Sequence, residues 1–326
     1  MKRPTNRPFH LGLALVLVCV TAVVVAGFTT RDRCSPDPLR ERQWALDTLK
    51  LPEAWDTAEG DDTVIAVVDT GVDIGHPDLK SRITAGWDFV DNDAKAIDQN
   101  GHGTHVAGIA AAATCNGTGV AGGAPGAKIM PVRVLGADGS GSDENIVRGI
   151  VWAADHGADV INLSLGEGPL MANLLQGGVL NTAFQYAHDK GAVVVAAAGN
   201  DGAATQPYKV TTPVLIVGAS DPRGRAADFS NFGAQDAVTA PGVDILSTLP
   251  TYPVQATVGN DSGYGEMDGT SMAAPYVAAV AALLHQQGRS PDQIIETVRA
   301  TAANPRHLPK LGLGIVDAAA AVAAPK

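Results

Sequence analysis

Basic charge and cysteine are both scarce in this chain of 326 residues. Lysine and arginine together number 23, against 34 aspartates and glutamates, which gives a net charge of −11. Because most affinity for phosphate backbones comes from Lys and Arg, this balance argues against nucleic acid as a partner. Of the three cysteines, Cys19 lies in an apolar run, which leaves Cys34 and Cys115. In an oxidising compartment these two form either one disulfide or two unrelated thiols.

Several sequence signatures are absent as well. The chain has no internal repeat, low-complexity tract or interdomain linker, so one folded domain is the simplest account. The HExxH pattern of zinc peptidases is missing, and no obvious third metal ligand accompanies His102 and His105. The segment around Ser271 differs from the Gly-x-Ser-x-Gly elbow, which disfavours an esterase of the α/β-hydrolase type.

The N-terminal residues form a segment of their own. Basic residues within the first seven positions precede an uncharged run from Leu11 to Phe28. A basic stretch followed by an apolar one is the layout of an export signal. The run is long for a cleaved signal and just long enough to span a bilayer. Residues 1–33 are therefore either an export signal or a membrane anchor, with a tether formed by residues 11–28. We expect an exported protein, secreted or held at the outer face of the cytoplasmic membrane.

Short apolar runs alternate with helical patterns through the rest of the chain. The runs that predict buried strands are Val64–Val68, Ile129–Val134, Val160–Leu163, Val193–Ala197 and Val214–Val217. The patterns that predict helices are His102–Ala113, Ser142–His156, Val179–Lys190, Ser271–Gln287 and a last helix capped by Ser290. This alternation predicts an α/β fold whose mostly parallel central sheet is covered by helices on both faces. In such sheets, ligands bind beyond the carboxyl ends of the strands.

Three segments carry candidate catalytic residues. Asp69 ends an apolar strand before a glycine turn, and alone it fits a turn residue or helix cap equally well. His102 lies between two glycines at a helix start, where the helix lowers the imidazole pKa and favours a neutral general base. Ser271 opens an apolar helix, either as a plain N-cap or as a nucleophile whose oxyanion forms at the positive helix end.

Together the three segments are far more specific than any one of them. They occur in the order Asp, His, Ser, within the motifs Ala66-Val67-Val68-Asp69-Thr70-Gly71, Asn100-Gly101-His102-Gly103-Thr104-His105 and Gly269-Thr270-Ser271-Met272-Ala273. In these motifs the chain closely resembles the subtilisin-like serine proteases, peptidase family S8, from about Gln43 to Val322. The resemblance implies a three-layer subtilisin-like fold and a serine endopeptidase that forms an acyl-enzyme intermediate. In that mechanism Ser271 attacks, His102 transfers the proton and Asp69 orients the imidazole.

The resemblance also assigns residues to substrate binding. Asn200, preceded by Gly199, matches the oxyanion-hole asparagine of the family. Two extended segments that clamp a peptide backbone match Gly139-Ser140-Gly141 and Ser164-Leu165-Gly166. Main-chain hydrogen bonds of this kind bind protein or peptide substrates largely irrespective of their sequence.

A structural calcium ion is a further implication of the resemblance, and no organic cofactor is expected. Asp78 matches one ligand of the family's strong calcium site, and Asp37 resembles an N-terminal ligand of some members. The remaining oxygen ligands, which suit a hard cation, are the Asn116 side chain and the carbonyls of Thr114, Thr118 and Val120. If Asp37 and Asn116 share one ion, Cys34 and Cys115 lie close together, so a disulfide between them is expected.

Residues 34–326 are then one subtilisin-like peptidase domain, which we expect to be monomeric. Exported members usually carry a folding prodomain before the catalytic domain, and none of full length is apparent here. Two other functions stay open. A restricted processing protease at the cell surface is favoured if residues 11–28 persist as an anchor. A non-catalytic peptide-binding scaffold predicts decay of the catalytic residues, all of which are present.

Overall fold

The computed structural model describes residues 1, 35–165, 179–204, 213–233 and 236–326. The chain divides into two units, Met1–Cys34 and Ser35–Lys326, and the fold described below belongs to the second. The segment predicted to be an export signal or anchor lies outside the described residues. Within the described ranges, no helix combines the length and the apolar character needed to cross a membrane.

Seven parallel strands form the central sheet. In chain order they are β1 (Val64–Asp69), β2 (Trp87–Asp88), β3 (Lys128–Arg133), β4 (Val160–Leu163), β5 (Val193–Ala197), β6 (Leu215–Ser220) and β7 (Val238–Pro241). Across the sheet the order is β2-β3-β1-β4-β5-β6-β7, and neighbouring strands run parallel. The strand order reverses at β1, so a ligand site is expected beyond the carboxyl end of this strand.

Helices connect the strands and cover both faces of the sheet. They are α1 (Trp44–Thr48), α2 (Leu51–Ala54), α3 (His102–Ala111), α4 (Asp143–Asp155), α5 (Val179–Asp189), α6 (Thr270–Gln286), α7 (Pro291–Thr301) and α8 (Ala318–Ala323). A separate antiparallel pair, β8 (Ile245–Thr248) and β9 (Tyr264–Met267), precedes α6.

Alternate side chains of each strand enter different cores, as three layers require. In β1, Ile65 and Val67 pack in the core shared with α3 and α6, whereas Ala66 and Val68 pack with α4 and α5. Strands that are buried on both faces expose neither face to solvent, which explains their continuous apolar sequences. The α/β fold class predicted from the sequence is confirmed.

The structure also reproduces the two helix starts that matter most for the prediction. Helix α3 begins at His102, and α7 begins at Pro291 behind the N-cap Ser290. Ser290 Oγ accepts a hydrogen bond from Gln293 N at 3.3 Å, and Gln293 Oε1 accepts one from Ser290 N at 2.9 Å. This capping box satisfies two backbone donors that the first helical turn leaves open.

Candidate active site

Asp69 is the last residue of β1 and is fully buried. Its Oδ1 accepts a hydrogen bond from Thr70 N and another from His102 Nδ1, both at 2.7 Å. Because an ionised carboxylate only accepts hydrogen bonds, Nδ1 carries the proton of the second bond. In the neutral imidazole this leaves Nε2 as the basic nitrogen, which is the tautomer a general base requires.

The start of α3 places His102 against the end of β1, and Gly103 permits the close approach. A Cβ atom at Gly103 would overlap the carbonyl oxygen of Gly71 and lie 3.2 Å from Asp69 Oδ1. Gly101, with φ 113°, turns the chain into the helix in the left-handed region that glycine tolerates. Glycine is therefore required on the two sides of His102 for different reasons. Position 103 has no space for a side chain, and position 101 has a left-handed backbone conformation.

Ser271 is the second residue of α6, two positions after the N-cap Gly269, whose φ is 151°. Its Oγ donates to the carbonyl oxygen of Ser164 at 3.2 Å, and Ser164 Oγ donates to the carbonyl oxygen of Ser271 at 2.8 Å. These reciprocal bonds join the start of α6 to the residue that follows β4. The backbone N–H groups of this turn and the helix dipole favour negative charge near Ser271.

Asn200 follows β5, and Thr270 fixes the orientation of its amide. Asn200 Oδ1 accepts hydrogen bonds from Thr270 N at 2.9 Å and from Thr270 Oγ1 at 3.0 Å. Thr270 Oγ1 also accepts from Gly199 N at 3.1 Å. With Oδ1 engaged, Nδ2 is the end of the amide that can donate to a substrate. Thr270 was given no role from the sequence, although it directly precedes the predicted nucleophile.

One cleft of about 880 Å³ brings the predicted residues together. The catalytic candidates that line it are His102, Asn200 and Ser271, and the predicted backbone-binding residues that line it are Gly139, Ser140, Gly141, Ser164 and Leu165. Gly166 lies outside the described residues, and Gly199 is held behind Asn200 by its bond to Thr270. A cleft bordered by two backbone segments can bind an extended peptide across the catalytic residues.

The second histidine of the motif, His105, has a structural position. It is fully buried, and desolvation lowers its pKa from 6.5 to about 3. Its Nε2 lies 3.1 Å from the carbonyl oxygen of Gly265, which accepts the ring proton. Among the described residues, no three or more His, Cys, Asp or Glu side chains form a group suited to a metal ion.

The predicted calcium ligands lie together beside the loop that follows α3. Asp37 accepts hydrogen bonds from Cys115 N at 2.9 Å and Asn116 N at 3.0 Å. Asp78 accepts from Asn116 Nδ2 at 2.8 Å and Val120 N at 3.0 Å.

Two further predicted ligands belong to the same loop. Thr118 N donates to Asn116 Oδ1 at 2.7 Å, and Thr114 Oγ1 accepts from Gly122 N at 3.3 Å. Burial raises the pKa of Asp37, and the charge of Asp78 adds to the rise. Two buried carboxylates with carbonyl and amide oxygens nearby are a donor set that fits a hard divalent cation.

Comparisons with known proteins agree with the fold. The model of the subtilase family matches residues 60–317. Thermitase from Thermoactinomyces vulgaris is 46% identical over 262 residues, covering 80% of this chain and 88% of thermitase. Subtilisin Savinase from Lederbergia lenta is 40% identical over 282 residues, covering 85% of this chain and 97% of Savinase.

Solved structures give the same result. A protease from Pseudoalteromonas arctica PAMC 21717 has a TM-score of 0.75 at 36% identity, covering 89% of this chain and 99% of its own. Fervidolysin from Fervidobacterium pennivorans has a TM-score of 0.74 at 34% identity, covering 92% of this chain and 48% of its own. The family match spans most of the chain, and so the chain belongs to the subtilase family, as a subtilisin-like serine endopeptidase that acts on proteins or peptides.

Proposed function

We propose that this chain is an exported endopeptidase that cleaves proteins through an acyl-enzyme intermediate, with Asp69, His102 and Ser271 as its triad. The observation that carries the proposal is the 2.7 Å bond to Asp69 from Nδ1 of His102, whose ring lines the same cleft as Ser271. This bond orients the ring and fixes its tautomer, and proton transfer from the serine requires both.

The reaction then proceeds in two halves. Ser271 Oγ bonds to the scissile carbonyl carbon while its proton passes to His102 Nε2, and the carbonyl electrons move onto oxygen. When the tetrahedral intermediate collapses, the C–N bond breaks and His102 gives the proton to the leaving amine. In the second half, water attacks the carbonyl carbon of the ester while His102 accepts its proton. The ester C–O bond then breaks, the carboxylic acid product leaves, and His102 returns the proton to Ser271 Oγ. Asp69 stabilises the imidazolium formed in each half.

Two groups stabilise the oxyanion in this proposal, Asn200 Nδ2 and the backbone N–H of Ser271. The positive end of α6 adds to their field. Removing one such donor costs about 10² to 10³ in kcat, a value measured in a subtilisin. Gly139–Gly141 and Ser164–Leu165 bind the peptide as an added strand, so affinity depends little on sequence.

A comparison of the wild type with Ser271→Ala tests the proposal. Both proteins are produced with calcium and assayed on unfolded casein, with and without a serine-directed fluorophosphonate. We expect hydrolysis by the wild type that both the substitution and the inhibitor abolish. A folded domain that neither cleaves casein nor is labelled at Ser271 would instead be a peptide-binding scaffold.

A third outcome would favour the restricted processing protease. In that case the fluorophosphonate labels Ser271 but casein is not cleaved, because the nucleophile is competent while the pocket rejects most sequences. The same function is favoured if residues 11–28 remain as an anchor. Cell fractionation then finds the activity in membranes, whereas a secreted enzyme is found in the medium. We propose a monomer in either case, which sedimentation velocity tests.

We further propose a structural calcium ion bound by Asp37, Asp78, Asn116 and the carbonyls of Thr114, Thr118 and Val120. The support is the pairing of two buried carboxylates whose hydrogen-bond partners named above are neutral. When bound, the ion supplies positive charge to this cluster. The residues themselves tie the chain near Asp37 to the loop after α3.

A disulfide between Cys34 and Cys115 completes the proposal for this region. Cys34 lies outside the described residues, and the support comes from the residues that follow the two cysteines. Ser35 and Asn116 form a parallel bridge, and Gly117 N donates to the carbonyl oxygen of Ser35 at 3.0 Å. Thiol labelling of the denatured, unreduced protein tests the pairing. Two reactive thiols beyond residue 33 would contradict it.

A further inference from the structure

Asp98 is a buried carboxylate outside the predicted triad. It lies in the turn before α3, and its surface is fully covered. Its Oδ1 accepts from Thr70 Oγ1 (2.8 Å), Asn100 N (2.9 Å) and Gly101 N (2.8 Å). Its Oδ2 accepts from Thr104 N (2.9 Å) and Thr104 Oγ1 (2.6 Å). Burial raises the pKa of Asp98, and these neutral donors oppose the rise.

The donors belong to the two segments that carry the catalytic pair. Three of the four donor residues flank His102 in the chain, and the fourth, Thr70, follows Asp69. Thr70 Oγ1 also accepts from Gly103 N at 2.9 Å. Thr70 N donates to the same Asp69 oxygen that receives His102 Nδ1. The Asp98 carboxylate therefore holds the start of α3 against the end of β1.

We propose that Asp98 is a positioning residue of this peptidase, which fixes the turn that presents His102 to Asp69 and whose charge keeps His102 basic. Its catalytic consequence rests on the proposed function. A role as a helix cap alone accounts for the bonds from Gly101 and Thr104. It does not account for the bond from Thr70, which belongs to a different element.

The negative charge matters as well as the shape. Helix α3 directs the positive end of its dipole at His102, which lowers the imidazole pKa. A carboxylate held beside the same helix start favours the imidazolium and raises that pKa. An amide in place of Asp98 would lose the charge and turn its NH₂ group towards at least two of the donors.

The remaining charged and titratable groups around this turn stay in place when Asp98 is replaced. They come from β1 and the turn after it, from α3, from β3 and from the connection between β8 and β9, and they are Asp69, Asp73, His105, Arg133 and Tyr252. A change in the His102 pKa on substitution of Asp98 therefore reports the loss of its charge and of the turn that it holds.

NMR titration of the His102 ring in a Ser271→Ala background measures this without catalysis. We expect Asp98→Asn to lower the His102 pKa by on the order of half a pH unit or more. Asp159→Asn is the matched control, because Asp159 accepts from Val64 N at the opposite end of β1 and should leave the pKa unchanged. An unchanged His102 pKa in folded Asp98→Asn overturns the proposal.

If Asp98→Asn does not fold, Thr70→Val tests the positioning role of Asp98 instead. It removes the hydroxyl between Asp98 and Gly103 N but keeps the charge. We expect kcat to fall about tenfold with KM nearly constant, and Thr70→Ser to restore it. Wild-type kcat in Thr70→Val contradicts the positioning role. If the wild type cleaves nothing, the proposed function fails, whereas the NMR comparison still decides the role of Asp98.

Discussion

A single hydroxyl group, that of Thr270, helps to set the geometry of the proposed oxyanion hole. Thr270 Oγ1 lies between Asn200 Oδ1 and Gly199 N. We expect Thr270→Val to lower kcat about tenfold with little change in KM, because the Asn200 amide loses one of the two hydrogen bonds that it accepts from Thr270. Steady-state kinetics on a chromogenic peptide measures this. Thr270→Ser keeps the hydroxyl and should retain activity, and equal kcat values in all three proteins would contradict the prediction.

His105 makes the stability of the domain depend on pH. Its pKa falls from 6.5 in the unfolded chain to about 3 in the fold, because burial disfavours the charged ring. Between these values the unfolded chain binds a proton that the folded chain does not. The contribution of His105 is therefore fully present above pH 6.5 and is lost as the pH falls towards 3.

Urea denaturation at several pH values measures this contribution. We expect the free energy of unfolding of the wild type to fall with decreasing pH, by up to about 1.4 kcal/mol per unit from His105. His105→Gln cannot titrate, so its unfolding free energy should fall less steeply over the same range. Equal slopes for the two proteins would show that the buried ring is not responsible.

Among the elements, α3 lies close against the end of β1 and the turn that follows it, and the proposed catalysis depends on this approach. Their contact leaves no space for a Cβ at Gly103, which would meet the backbone of Gly71. We expect Gly103→Ala to displace His102 from Asp69 and to reduce kcat at least about a hundredfold. The free energy of unfolding should fall by about 1–3 kcal/mol. Gly75→Ala is the matched control, since a Cβ there meets only an ordinary contact at 3.4 Å. Comparable activity in the two variants would contradict this account.

The elements differ in whether they could be predicted from the sequence. Strands such as β1 and β5 could be predicted because both of their faces are buried, so every residue except Asp69 at the end of β1 is apolar. The start of α3 at His102 could be predicted from its flanking glycines. Strands β7, β8 and β9 were missed, because each has only four residues and carries polar or small side chains. Such strands are defined by their partners rather than by a periodic pattern.

In the candidate site, too, residues with a local sequence signal could be predicted, whereas residues that act through distant contacts could not. Asp69, His102 and Ser271 could be predicted because each ends a strand or opens a helix within a recognisable motif, and Asn200 because the segment matches the family. Thr270 and Asp98 were missed, since their roles depend on side chains from other elements. The Thr270 hydroxyl meets Asn200 across 70 positions of the chain, and Asp98 meets Thr70 across 28. No local sequence pattern predicts these contacts.

At the scale of the whole molecule, the proposed calcium site would stabilise the domain from outside the active cleft. Asp37 and Asp78 are both buried, and the raised pKa of Asp37 opposes its ionisation. Without a cation, this group contributes stability at pH below 3.8 that is lost as the pH rises through its folded-state pKa. Calcium binds the ionised pair, so its own stabilising effect should grow with pH.

Thermal unfolding with calcium or with excess EDTA tests this coupling. We expect EDTA to lower the Tm of the wild type more at pH 8 than at pH 5, because protons compete with the ion at low pH. Asp37→Asn should lose more than about half of the calcium-dependent gain, since one of two charged ligands is gone. Asp62→Asn alters an exposed aspartate and should keep the full gain. If the wild-type Tm is the same with calcium and with EDTA at both pH values, these carboxylates hold no structural ion. The neutral donors of the loop after α3 would then be their only stabilising partners.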